Sequence, residues 1–348
     1  MSRQLMKGND ALSEAAVRAG CRFFGGYPIT PQSEIPEYLS WRMPEAGGTF
    51  IQAESELSGV NMVYGAAAAG FRAMTSSSGP GFSLLQEGIS YIASAELPAV
   101  FVDVQRYGSG LGDIFQAQGD YWQATRGGGH GDYRMLVYAP ASVQESVDLV
   151  SVAFDKADQY RNPTLILSDA SIAQMMEPVT LPEMREHDPN ADWAVRGKHG
   201  KPFKRVTSTM YYIEDFDAYI KGKYDEMAEA EQRWESVRVD DADVVLVAYG
   251  ISSRICREAV EIARGRGVRL GLLRPITLWP FPAKAFAEVN PLVKAYLSVE
   301  LSALPKMVED VRLACEMKAP VETFLGGAHI PESSAIVERA VAILNAQR

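Results

Sequence analysis

Residues 22–41 read Arg22-Phe23-Phe24-Gly25-Gly26-Tyr27-Pro28-Ile29-Thr30-Pro31-Gln32-Ser33-Glu34-Ile35-Pro36-Glu37-Tyr38-Leu39-Ser40-Trp41. A short apolar run, a glycine pair and then an amphipathic stretch predict a strand over 22–24, a tight turn and a helix over 31–41. Pro31 suits the first helical position and Thr30 the N-cap, where its hydroxyl either satisfies a backbone N–H or faces a ligand at the positive helix end. The same unit recurs outward along the chain. Strands are predicted over 49–52, 72–76, 99–104, 135–138 and 164–168, with helices over 56–69, 82–95 and 142–159. A second series follows, with strands over 244–248, 269–273, 295–299 and 321–324 and a helix over 252–264. Short apolar strands alternating with helices specify parallel sheets covered on both faces, so the fold class is α/β. Between the series, residues 173–240 carry Pro178, Pro182, Pro189 and Pro202 and then a charged helical stretch over 217–237. The predicted organisation is a first domain over 1–172, an excursion over 173–240 and a second domain over 241–348.

Composition narrows the function. The 348 residues hold 34 Lys and Arg against 44 Asp and Glu, a formal charge of −10. That balance argues against nucleic acid or an anionic membrane surface as the partner. No apolar run approaches the ~18 residues of a membrane span, and the opening MSRQLMKGND is too short and polar to read as a signal peptide. Three cysteines, Cys21, Cys256 and Cys315, are far apart. They exclude a disulfide framework, a cysteine-built zinc site and an iron–sulfur cluster of the chain's own, and they point to a reducing cytoplasm.

Open parallel sheets bind ligands beyond the carboxyl ends of their strands, and the first domain crowds chemistry there. Glu56, in Gln52-Ala53-Glu54-Ser55-Glu56, sits at a strand-to-helix junction, either complementing a helix dipole or held as a functional carboxyl in a cleft. Its helix carries Gly65-Ala66-Ala67-Ala68-Ala69-Gly70, which permits close packing. Thr75-Ser76-Ser77-Ser78-Gly79-Pro80-Gly81 is a small-residue loop against which a flat ligand can lie. The dinucleotide G-x-G-x-x-G and the Walker pattern are both absent. Arg106 ends a strand ahead of Tyr107-Gly108-Ser109-Gly110. It is placed there either for bidentate carboxylate binding or for a surface salt bridge. Gly127-Gly128-Gly129-His130-Gly131 reads as a mobile loop whose histidine is either solvent-facing or catalytic. With four histidines and no cluster at ligand spacing, no protein-built metal site is indicated.

Taken together, GGYPITPQSEI, QAESELSGVNMVYGAAAAG, TSSSGPGFSLLQEGISYI, the Arg106 loop and GGGHGDYR resemble the α subunit of multi-subunit, thiamine-diphosphate-dependent 2-oxoacid:ferredoxin oxidoreductases. Within that family the chain looks nearest to the 3-methyl-2-oxobutanoate (ketoisovalerate) type. The resemblance runs over residues 5–178. It loosens over 241–348, where DVVLVAYGISSR, LRPITLWPFP and FLGGAHIP are similar to a transketolase C-terminal domain. It implies a pyrimidine-binding first domain followed by a transketolase-C-terminal-like α/β domain.

The resemblance also implies roles. Glu56 corresponds to the glutamate that hydrogen-bonds N1′ of the aminopyrimidine and favours the tautomer that activates the thiazolium. Tyr27, Pro28, Ile29, Ser78 and Gly79 join Glu56 as cofactor-binding residues. Thr30 and Arg106 correspond to contacts with the 2-oxoacid's carboxylate and keto end, with His130 a further candidate. The diphosphate motif is not intact: Gly131-Asp132-Tyr133 lacks its third glycine, and Asn162 comes just before a strand. The resemblance therefore implies that the diphosphate half-site, Mg²⁺ and the [4Fe–4S] clusters belong to partner β, γ and ferredoxin-like δ chains, with soluble ferredoxin and CoA as co-substrates. Three alternatives remain open at this point. They are a 2-oxoglutarate version using Arg126, His130 or Arg134 for the second carboxylate, a lipoamide-dependent dehydrogenase β-type subunit, and a non-catalytic assembly subunit.

Overall fold

The computed structural model describes residues 3–197 and 205–346; Pro202 lies outside them. One sheet runs in the order β13-β7-β8-β5-β4-β2-β3, with β6 paired to β5. Its strands are β2 (Phe23–Gly26), β3 (Thr49–Gln52), β4 (Ala73–Ser77), β5 (Ala99–Tyr107), β6 (Asp113–Gln116), β7 (Leu136–Tyr138), β8 (Pro163–Asp169) and β13 (Thr277–Trp279). The pairings among β2, β3, β4, β5, β7 and β8 are parallel, as the alternation of strands and helices predicts. β5 is longer than the apolar run suggests, because Gln105, Arg106 and Tyr107 continue the strand.

Helices cover both faces. α1 (Gly8–Arg18), α2 (Glu34–Glu45) and α6 (Val143–Tyr160) bury Leu12, Ile35, Leu39, Val147 and Phe154 on one side. α3 (Glu56–Ala68) and α4 (Pro80–Ser94) bury Val60, Val63, Phe82 and Ile89 on the other. Helix α2 leaves β2 toward one face while α4 leaves the adjacent β4 toward the other. The loops part between them, and that divergence is the crevice at which open α/β sheets bind ligands.

The close approach of α3 and α4 rests on Gly88. A Cβ there would lie 2.4 Å from both Val60 methyls, whereas Gly65 faces open space. Within the small-residue run at 65–70, Ala67 and Ala68 are buried in the core on this face, so the run packs closely, though not through Gly65. Gly70 takes φ +89° and lets the chain abut the Pro189 carbonyl.

A second sheet, β10-β12-β11-β14-β15, consists of β10 (Trp234–Val237), β11 (Val244–Val247), β12 (Leu270–Pro275), β14 (Ala295–Glu300) and β15 (Val321–Leu325). All its pairings are parallel except β10 on β12. It packs against α9 (Gly250–Gly265) and α11 (Ser333–Ala346). The charged stretch over 217–237 divides in the structure: α8 (Phe216–Ala230) ends, and β10 joins the second sheet.

Two features tie the sheets together. β13, from the second series, pairs antiparallel with β7 at the edge of the first sheet. Gln118, fully buried, accepts from Leu301 N and the Ser252 hydroxyl and donates to the Tyr249 carbonyl. Neither β1 (Gln4–Lys7), which pairs with β9 (Met176–Val179), nor α1 and α11 is read from the sequence. Among the described residues no helix is long and apolar enough to cross a membrane.

Candidate active site

Four carboxyl strand ends build the site: the loop after β2, the β3–α3 junction, the β4–α4 turn and the end of β5. The first is pinned from below. Gln32, fully buried, donates to the Tyr27 carbonyl (2.9 Å) and accepts the Ser76 hydroxyl (2.6 Å). Thr30 is therefore not an N-cap, and this corrects the sequence reading. Pro31 follows it through a cis peptide and is buried ahead of the helix, which begins at Glu34. The first α-type bond runs from Glu37 N to the Ser33 carbonyl, because the Thr30 carbonyl accepts from Arg106 and that of Pro31 from Asn9 and Gln174. The Thr30 side chain is left exposed at the crevice, as are Tyr27 and Pro28, while Ile29 is half-buried.

Glu56 is buried at the first position of α3, behind the Ser55 cap. Its Oε1 accepts the Ser77 hydroxyl at 3.3 Å, and its Oε2 takes no donor among the described residues. Gly81 is pressed against it: a Cβ there would fall 2.2 Å from Glu56 Oε1 and 2.1 Å from Ser77 Oγ. Ser78 and Thr75 are buried nearby with unpartnered hydroxyls. A carboxylate oxygen without a donor, at the bottom of a cradle that any side chain at 81 would fill, fits the amino-nitrogen edge of a flat heterocycle. The aminopyrimidine of thiamine diphosphate has that chemistry.

Arg106 is buried, which removes the surface salt bridge from the readings of this residue. Its Nη1 donates to the Thr30 carbonyl at 3.0 Å, its Nη2 to the Leu111 carbonyl, and its buried Nε has no partner. Gly79, at φ +48°, lies on the Arg106 stem: a Cβ there would be 3.3 Å from Arg106 Cγ. Contacts thus run unbroken from Thr30 through Arg106 and Gly79 to Gly81 and Glu56. Beside them a cavity of about 640 Å³ is lined by Gly79, Tyr107, Asp120, Gln123 and Lys306, so Tyr107 does border the space next to the arginine.

The structure sets His130 apart from this group. Of the glycines around it, Gly128 and Gly129 pack closely on α4, while a Cβ on Gly131 would meet nothing within 4 Å. Gly128 N donates to Gln86 Oε1, Gly129 N to the Tyr133 hydroxyl, and a Cβ on Gly129 would meet the Gln86 carbonyl at 2.4 Å. Gln86 lies six residues into α4, about 9 Å along its axis from the site end. His130 itself is exposed. Arg126 is held by Asp310 and Glu309, and Arg134 donates to the carbonyls of Arg126 and Tyr133. Asn162 is a structural residue, donating to the Arg134 carbonyl and accepting from the Tyr224 hydroxyl. Glu300 caps the segment leading into α10 (Val308–Ala314), accepting from the backbone N–H groups of Lys306, Met307 and Val308.

Sequence reasoning assigns no role to Gln32, Asp103 or Asp120, and reads Ser77 and Gly81 only as part of a small-residue loop against which a flat ligand lies. Only Gly81 carries a further local signal, as the second glycine of a Gly-Pro-Gly. The others are polar residues in loops and strand positions whose partners are remote in sequence. Among the described residues no group of three or more His, Cys, Asp or Glu is arranged to hold a metal ion. All three cysteines are free and buried, and burial pushes the Cys21 thiol up to about 12.

Known proteins are similar to this chain in sequence and fold. A family model described as pyruvate flavodoxin/ferredoxin oxidoreductase, thiamine-diphosphate-binding, matches residues 14–239. A second, pyruvate:ferredoxin oxidoreductase core domain II, matches 242–330. Ketoisovalerate oxidoreductase subunit VorB of Methanothermobacter thermautotrophicus is 52% identical over 318 residues, 90% of each chain. The 2-oxoglutarate synthase subunit KorA of Methanocaldococcus jannaschii is 35% identical over 98% of this chain and 100% of its own. A solved 2-oxoglutarate:ferredoxin oxidoreductase from Magnetococcus marinus has the same fold, with a TM-score of 0.86 at 24% identity over 98% of this chain. The present chain spans 65% of that protein's length. With the family matched over both sheets and the relatives over nearly their whole length, the chain belongs to the thiamine-diphosphate-binding pyruvate flavodoxin/ferredoxin oxidoreductase family, as a 2-oxoacid:ferredoxin oxidoreductase subunit.

Proposed function

We propose that this chain is the pyrimidine-binding α subunit of an oxidoreductase that converts 3-methyl-2-oxobutanoate, CoA and oxidised ferredoxin to an acyl-CoA, CO₂ and reduced ferredoxin. The observation that carries this reading is Arg106. It is a buried guanidinium with no carboxylate in ion-pair contact among the described residues, joined to the Thr30 loop and linked to Glu56 through the Gly79–Gly81 turn. A buried cation with unused donors suits an incoming carboxylate.

The geometry supports the following division of labour. Glu56, fixed by Ser77 and Gly81, holds a proton on the ring nitrogen of the aminopyrimidine, with Tyr27, Pro28, Ile29, Ser78 and Gly79 bordering it. When bound, thiamine diphosphate supplies the nucleophilic carbon and the electron sink that decarboxylation of a 2-oxoacid needs. Arg106 orients the substrate carboxylate, and Thr30 offers its hydroxyl to the keto end. A cation gripping the ground-state carboxylate too tightly would oppose its loss, so the benefit of Arg106 is positioning. The diphosphate, Mg²⁺ and the [4Fe–4S] clusters fall to β, γ and ferredoxin-like δ partner chains, which places the complete site at a subunit interface in the cytoplasm.

Of the residues considered for the second carboxylate of 2-oxoglutarate, Arg126 is committed to Asp310 and Glu309, Arg134 donates to the carbonyls of Arg126 and Tyr133, and His130 is exposed. Lys306, however, lines the cavity beside Arg106, so the choice between the two acids rests on the relatives. The 52% identity to a ketoisovalerate oxidoreductase subunit supports the branched monocarboxylate. The test is turnover of the assembled complex with ferredoxin and CoA on the two acids. A preference for 3-methyl-2-oxobutanoate is expected, and a preference for 2-oxoglutarate overturns the assignment.

A further inference from the structure

Arg106 presents an imbalance that the site residues alone do not resolve. Its two Nη donors go to carbonyl oxygens, which are dipoles and not charges, and Nε goes to nothing. An unpaired buried guanidinium costs several kcal/mol unless a counter-charge lies close. Two aspartates the mechanism does not use have Arg106 among their charged neighbours. Asp103, three residues earlier on β5, is fully buried, and neither of its oxygens takes a well-formed hydrogen bond among the described residues. Its carboxyl faces that of Asp120 and the backbone N–H of Gly79, the residue lying on the Arg106 stem. Asp120 is itself buried, is held by Gln123 Nε2 and, through its own N–H, by Gln105, and keeps one oxygen unpartnered.

We propose that Asp103 and Asp120 share one proton and act as a positioning pair for Arg106, supplying a single counter-charge while leaving its free N–H groups to the substrate carboxylate. Two ionised carboxylates in contact inside the protein repel each other, whereas a proton between them makes a strong hydrogen bond. One shared proton gives the pair a charge of minus one, which balances the guanidinium. The inference rests on the reading of Arg106 as the carboxylate-binding group. Besides Arg106, the titratable groups facing the pair are Lys306, on the loop before α10, and Tyr249, ahead of α9. Burial is the main influence on both aspartates and pushes both upward, as expected of a pair that retains one proton.

The sign of the effect is fixed. While the pair holds its proton, Arg106 is balanced. When alkaline pH removes the proton, a second negative charge neutralises the guanidinium in excess and repels the substrate, so KM for the 2-oxoacid rises. Asp103→Asn has no proton to lose but still donates to Asp120. Asp103→Ala removes the contact and lets the Gly79 turn move.

The experiment uses the assembled oxidoreductase. Infrared difference spectra at neutral pH compare wild type with Asp103→Asn, and with Asp120→Asn as an independent second variant. KM for 3-methyl-2-oxobutanoate is followed against pH for both variants, Asp103→Ala and Arg106→Ala. A protonated-carboxyl band present in wild type and lost in either Asn variant supports the pair. So does an alkaline rise of KM that flattens in Asp103→Asn. Asp103→Ala is expected to raise KM about tenfold or more above Asp103→Asn. Absence of the band overturns the shared proton whatever the kinetics. A band with an unchanged alkaline rise in Asp103→Asn, while Arg106→Ala raises KM, overturns the positioning role and leaves the Arg106 reading standing. An unchanged KM in Arg106→Ala overturns that reading and the proposal with it.

Discussion

Gly81 and Glu56 are in such contact that a single methyl group cannot be inserted: a Cβ at 81 would stand 2.2 Å from the carboxylate oxygen that Ser77 also holds. Helix α4 therefore begins against the carboxylate at the head of α3, and the second glycine of Gly79-Pro80-Gly81 is a site residue although it has no side chain. Gly81→Ala should push Glu56 out of register without changing any charge. We expect turnover of the assembled complex to fall about a hundredfold, as for a displacement of about 1 Å, with thermal stability reduced far less than activity. Equal turnover in wild type and variant would show that the contact is not needed.

Glu56→Gln keeps the shape and replaces the proton-holding oxygen. The chain should still assemble with its partners, while turnover falls by orders of magnitude, because the amide cannot carry out the acid–base step. The measurement is steady-state ferredoxin reduction on a complex whose subunit ratio has been checked. Near-normal turnover would favour a chain that serves assembly alone.

Arg106→Lys retains the charge but loses the planar fork that reaches Thr30 and Leu111. KM for the 2-oxoacid should rise about ten- to a hundredfold, the equivalent of one or two charge-assisted hydrogen bonds. Steady-state kinetics across substrate concentrations checks this, with kcat falling less than kcat/KM.

Packing between α3 and α4 gives a prediction with opposite signs at two glycines. At Gly88 a methyl group meets both Val60 methyls at 2.4 Å, so overpacking of about 1–3 kcal/mol outweighs the ~1 kcal/mol of helix propensity that alanine brings. At Gly65 nothing lies within 4 Å, so only the propensity gain remains. Urea midpoints should fall for Gly88→Ala and rise for Gly65→Ala.

Asp169 gives a pH dependence. Burial pushes its carboxyl up to about 7, although Ile251 N–H and Gln118 favour the charged form. The folded chain thus binds this proton between about pH 4 and 7 where the unfolded chain has released it. Stability from this group is full below about pH 4 and is lost as pH rises toward 7. Asp169→Asn should make the melting temperature fall less steeply across that window, measured by calorimetry at a series of pH values. An identical slope in the variant would show that Asp169 is ionised throughout.

How much of this was legible follows from the range of each interaction. The order of strands and helices, the α/β class and the segments bearing Glu56, Thr30 and Arg106 follow from periodicity, glycine and proline placement and family motifs. Those signals are local, written within a dozen residues, because side-chain alternation and turn chemistry act at that distance. Local signals also misled. Thr30-Pro31 has the form of a helix start, yet the carbonyls that would open the helix are taken by Arg106, Asn9 and Gln174. Four glycines around His130 look like mobility, yet two of them, Gly128 and Gly129, are where the loop packs on α4. Tertiary structure alone decided that Arg106 is buried without a counter-ion of its own, and that Asp103 meets Asp120 across 17 positions of sequence. It also decided that Gln118 joins the two sheets and that β13 closes the edge of the first. The physical reason is common to all four. A buried polar group must find a partner wherever the fold brings one, and the chain's own order says nothing of which distant group that is.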